Sequence, residues 1–92
     1  MELAELRSEI DRLDRQLVDI LERRMDVAAG IADYKKAHGH PVLDASREAE
    51  KLSAIRDMCR PETAGLISGV FEAVMAASRD YQKTLMENGH GG

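Results

Sequence analysis

The chain has 92 residues, enough for one small domain. Hydrophobic residues make up 43% and charged residues 33%, a balance that suits a folded soluble chain and argues against disorder. A net charge of −4 with 3% aromatic residues and no Trp excludes a basic or base-stacking nucleic-acid surface, and no apolar run is long enough for a membrane span.

The N-terminus, Met1-Glu2-Leu3-Ala4-Glu5, is acidic and lacks the basic and apolar regions of a signal peptide, so the expected location is cytoplasmic. From Glu2 to about Ala37, apolar residues recur at alternating spacings of three and four: Leu3, Leu6, Ile10, Leu13, Leu17, Ile20, then Val27, Ile31 and Tyr34 after a break at Arg24. That heptad seam predicts one long helix of roughly 50 Å. Gly30 within it costs about 1 kcal/mol relative to Ala, and close approach of a helix or a ligand is the reason expected for it. His38-Gly39-His40-Pro41 ends the helix, since Gly suits the left-handed C-terminal position and Pro follows.

A short extended link, Pro41-Val42-Leu43, leads to Asp44, a good N-cap for a second helix over about Ala45 to Met58. Leu52, Ile55 and Cys59 share one face of it. Arg60-Pro61-Glu62 restarts the chain, with Pro in the first turn of a third helix reaching about Glu87. Its expected apolar face carries Ile67, Phe71, Val74 and Leu85, flanked by Leu66, Val70, Ala77 and Tyr81. Gly65 and Gly69 are spaced to admit a neighbouring backbone. The domain is expected over 1–88, with a frayed tail at 89–92.

One copy of so short a second helix cannot cover so long a first one. An intertwined all-α homodimer of three-helix chains is the expected architecture. Arg24 sits where the seam calls for Leu or Ile, and Lys35, three turns on, lies about 20° away on the same face. Ala28 and Ile31 leave space between them. A cation on an apolar stripe needs a partner, which is either an acidic residue of another helix or a ligand. Ser78 and Gln82 continue the apolar stripe of the third helix as neutral hydrogen-bonding groups. They are either satisfied internally or turned to the same ligand. Asp44, Arg47 and Glu48 open the second helix, where a cap with two solvent-facing charges is the alternative to a site. Arg7 lies roughly 25 Å along the axis from Arg24 and about 100° round it, so a site shared by both requires a second chain. Cations gathered on core faces of an acidic protein point to a small anion, and Arg suits carboxylates through paired hydrogen bonds. No nucleophile–base pair is present, Cys59 reads as a small core residue, and His38, His40 and His90 do not make a metal set.

Together, Leu6-Arg7-Ser8-Glu9-Ile10-Asp11-Arg12-Leu13-Asp14, Leu21-Glu22-Arg23-Arg24, Ile31-Ala32-Asp33-Tyr34-Lys35, Pro41-Val42-Leu43-Asp44-Ala45-Ser46-Arg47-Glu48 and Ser78-Arg79-Asp80-Tyr81-Gln82 resemble the all-α (type II) chorismate mutases over roughly residues 5–86. The resemblance implies an intertwined three-helix homodimer with two equivalent sites. It implies conversion of chorismate to prephenate in phenylalanine and tyrosine biosynthesis, with no cofactor and no metal. Carried over position by position, Arg7 reaches the partner's site, while Arg24 and Lys35 hold the substrate carboxylate. Lys35 also reaches the ether oxygen, to which Gln82 donates. Asp44 and Glu48 face the ring hydroxyl, Glu48 as acceptor, and Arg47 and Ser78 complete the carboxylate shell. The catalytic roles fall to Lys35, Gln82, Arg24 and Glu48. Two other readings remain: an isochorismate pyruvate lyase of the same fold, and a non-catalytic helical dimerisation or regulatory module.

Overall fold

The computed structural model describes residues 1–88, so the expected tail lies outside the described residues. Three α-helices follow one another: α1 (Leu3–His38), α2 (Ala45–Met58) and α3 (Pro61–Glu87), with no strand among the described residues. None is long and apolar enough to cross a membrane.

The helix ends lie where the turn chemistry puts them. Gly39 adopts φ 68°, and its N–H and that of His40 both return to the Lys35 carbonyl, the latter at 2.8 Å, closing the last turn of α1. The Asp44 carboxylate accepts the Arg47 backbone N–H at 3.0 Å and satisfies one of the orphan donors of α2. Pro61 occupies the first turn of α3, where its missing N–H costs nothing, and Glu62 stands beside the positive end of the helix dipole. Only Cys59 and Arg60, both extended, separate α2 from α3.

The third helix holds the chain together. It packs against both α1 and α2, whose backbones do not approach each other. Its partners on α1 are small: Ala28 is 3% exposed and Ala32 1%, so the two helices can approach closely. Ile55 from α2 and Met75 from α3 complete the buried apolar set, with Ser68, Ser78 and Gln82 buried beside them. The buried stripe of α3 overlaps the expected one in part: Ser78 and Gln82 are buried and Phe71, Val74 and Leu85 half-buried. Met75 and the polar trio are inside, while Leu66, Ile67 and Val70 remain exposed. Apolar residues surround much of this helix, so periodicity alone gave its packing face only in part.

The heptad seam is not the contact within the chain. Leu3, Leu6, Ile10, Leu13, Leu17 and Ile20 are all between 46% and 61% exposed. The close approach expected at Gly30, Gly65 and Gly69 is not made within this chain, where a Cβ at each would meet nothing within 4 Å. The molecule measures 53 × 25 × 14 Å, and α1 alone accounts for its length. Its accessible surface is 6837 Å². A compact monomer of 10.2 kDa would expose about 5,300 Å². The radius of gyration is 16.3 Å against about 12 Å for a compact chain of this length.

Candidate active site

A cavity of about 560 Å³ opens between the C-terminal half of α1, the start of α2 and the C-terminal half of α3. That is within the usual size of a small-metabolite site. Each helix contributes one stripe. On α1, Arg24, Ala28, Ile31 and Lys35 follow at spacings of four, three and four, so cations close the two ends of a small apolar wall. On α2 the first turn supplies Asp44, Arg47 and Glu48, and Lys51 follows one turn on. On α3, Met75, Ser78, Arg79 and Gln82 share one face.

Seven of the eight expected site residues line this one cavity: Arg24, Lys35, Asp44, Arg47, Glu48, Ser78 and Gln82. Arg7 does not. It lies on the exposed N-terminal half of α1, nearly five turns from Arg24 along an unbroken helix.

Lys35 is the best-positioned cation. Its Nζ donates to the Val42 carbonyl at 2.6 Å and to Gln82 Oε1 at 3.2 Å. An ammonium only donates, so the Gln82 amide must turn its oxygen to Lys35 and its nitrogen away. That nitrogen donates to Ser78 Oγ at 3.1 Å. Ser78 and Gln82 are 7% and 6% exposed, and no buried side-chain polar atom among the described residues lacks a partner. The chain Ser78–Gln82–Lys35–Val42 thus fixes two donors against the cavity. Lys35 has a third hydrogen left, and the Gln82 amide has a second.

Both acceptors of Lys35 are neutral, so its charge is not cancelled. Arg24 and the Arg47 side chain make no ion pair among the described residues. Neighbouring Arg23 instead points to solvent and pairs with Asp19 at 2.8 Å. An acidic neighbour from another helix is therefore not what accommodates Arg24 within this chain. Five cations (Arg24, Lys35, Arg47, Lys51 and Arg79) face two carboxylates (Asp44 and Glu48), an excess of three positive charges in the cavity of a protein whose net charge is −4. Low-dielectric walls strengthen the pull of such an arrangement on an anion.

The alternative of a solvent-facing Glu48 does not hold. Its carboxylate is paired with the Arg79 guanidinium across the cavity, the two side chains 24% and 33% exposed. Sequence reasoning gave no role to Arg79 or Lys51. The signal was periodic: Arg79 lies four residues after Met75 and three before Gln82, and Lys51 lies four after Arg47. Cys59 is half-buried, with its thiol donating to the Ile55 carbonyl at 3.2 Å, as befits a small core residue.

Comparison with known proteins places this arrangement in a family. The chain is 36% identical over 73 residues to the T-protein of Haemophilus influenzae, a match covering 79% of this chain and 19% of that one. It is 46% identical over 56 residues to the 4-amino-4-deoxychorismate mutase of Streptomyces venezuelae, covering 61% and 50% of the two. It is 28% identical over 87 residues to the chorismate mutase of Methanocaldococcus jannaschii, covering 92% and 88%. The chain thus spans about a fifth and a half of the first two relatives. No solved structure matches it. The sequence profile of chorismate mutase type II matches residues 6–83, and the chain belongs to that family.

Proposed function

We propose that this chain is a chorismate mutase, rearranging chorismate to prephenate within a homodimer in the cytoplasm, with residues 1–88 as its single domain. The observation that carries the reading is the Lys35–Gln82 pair: two fixed donors with hydrogens to spare, in a cavity whose cations outnumber its acids.

The reaction is an intramolecular [3,3] shift. The ether C–O bond breaks, the methylene carbon of the enolpyruvyl group bonds to the ring carbon bearing the carboxylate, and no proton leaves. Catalysis then has two tasks. The flexible dianion must be held in the compact conformer that brings the two carbons together, which Arg–carboxylate clamps achieve. Arg24 and Arg47 serve here, with Ser78 alongside, and Arg7 of a second copy completes the clamp. The negative charge growing on the ether oxygen must also meet donors already in place. The free hydrogens of Lys35 and Gln82 serve this, an effect worth about 3–4 kcal/mol per donor. Asp44 and Glu48 accept from the ring hydroxyl.

The homodimer is supported by the uncovered seam of α1, by a surface larger than a compact monomer's, and by the distance of Arg7 from the cavity of its own chain. Loss of chorismate absorbance on adding purified protein tests the activity, and unchanged absorbance overturns it. The same assay with isochorismate separates the mutase from a pyruvate lyase. A second reading places an amino group where chorismate has its hydroxyl, favoured by the identity to the Streptomyces venezuelae protein over 61% of this chain.

A further inference from the structure

We infer that Arg79 selects the ring substituent this site accepts: by neutralising Glu48, it favours a hydroxyl over an ammonium group on the ring carbon next to the ether. The inference rests on the mutase reading and deepens it.

Glu48 opens α2 and Arg79 lies on α3, 31 positions apart, and the fold brings their charged groups into direct contact. One carboxylate oxygen, Oε1, is engaged by the guanidinium. The other retains its lone pairs and can accept from a ligand. A hydroxyl donor needs only such a lone pair. An amino group at the same place, protonated at neutral pH like other aliphatic amines, needs net negative charge. Against an unpaired Glu48 it would form a salt bridge in a low-dielectric cavity. Against the Glu48–Arg79 pair it meets a carboxylate already neutralised and a guanidinium that repels it. Lys51 adds to the repulsion. It lines the same cavity one helical turn beyond Glu48, half-buried and without an ion-pair partner among the described residues. Asp44 is the other carboxylate in this wall, and its Oδ1 accepts the Arg47 backbone N–H. The pair also holds Glu48 toward the cavity instead of letting it swing to water. Arg79 is therefore a positioning residue, acting on substrate choice through Glu48.

The test is the ratio of kcat/KM for chorismate to that for 4-amino-4-deoxychorismate, measured on the full chain at pH 7.5. The unaltered protein should favour chorismate. Arg79→Gln should lower the ratio roughly ten-fold, the scale of removing one partly buried ion-pair partner. Arg79→Lys should restore it in part. Glu48→Gln breaks the same contact from the other side and should move the ratio the opposite way, because the Arg79 guanidinium is then uncompensated and repels the ammonium more strongly. A purely structural role would send both variants in one direction. If Arg79→Gln loses its helical circular dichroism, Glu48→Gln and Arg79→Lys carry the test. A ratio unmoved in folded variants, or moved the same way by both partners, overturns the inference and leaves the mutase reading standing. Turnover of neither substrate by the unaltered protein overturns both.

Discussion

The two halves of α1 are built on one heptad pattern and put it to different uses. Through residue 20 nothing on the helix is buried, and the seam from Leu3 to Ile20 faces outward as a continuous apolar ridge. From Leu21 onward the helix packs on α3 through Ala28 and Ala32, and of its seam positions Arg24, Val27 and Ile31 line the cavity while Tyr34 is exposed. Leucines every three or four residues can only bury themselves against something large and apolar, and this chain offers nothing of the kind. Alanines flanked by cations make a thin contact and leave room for a charged ligand. Apolar area is the currency of chain association, whereas charge confined by small side chains serves recognition.

Four tests, made with six substitutions, sharpen that contrast. The largest effect belongs to the ligand half. Lys35→Ala removes the donor held by Val42 and Gln82, and kcat should fall about 10²–10³-fold with helical circular dichroism unchanged. Near-normal turnover would sink the assignment. The second change tests whether the halves of different chains meet. Arg7→Ala and Arg24→Ala should each reduce kcat/KM by about 10²-fold. Unfolding and refolding the two variants together should restore about a quarter of the full activity, because half the dimers then carry one intact site. No recovery in the mixture means that Arg7 does not cross between chains. Leu13→Asp in the same seam should reduce the mass seen by sedimentation equilibrium to that of one chain.

The third change is graded. Gln82→Glu replaces a donor with a carboxylate that repels the ether oxygen except when protonated. An ordinary Glu titrates near 4.3, so activity should rise as pH falls toward that value, and a profile identical to that of the parent protein contradicts the donor role. The smallest effect comes on the exposed face of the second half. Within one chain nothing lies near Gly30, and Gly30→Ala should then stabilise the helix by about 1 kcal/mol in thermal unfolding. A loss of stability instead reveals a partner's backbone pressed against that face.

The boundaries of all three helices were legible in the sequence, because each end is decided by a few adjacent residues. Gly39 takes the left-handed turn, the Asp44 side chain reaches the Arg47 N–H, and Pro61 suits a first turn. The cationic stripe of Arg24 and Lys35 was legible for a related reason: helical periodicity orders side chains around a single axis. Part of the inward stripe of α3, through Phe71, Val74, Ser78 and Gln82, was legible too, but tertiary structure alone buried Ser68 and Met75 and left Ile67 exposed, because apolar residues surround much of that helix and only packing against Ala28 and Ala32 breaks the tie. It alone paired Arg79 with Glu48 and gave Lys35 two neutral acceptors, one from the loop and one from α3. Those contacts join residues far apart in sequence, and no local pattern encodes a distance across a cavity.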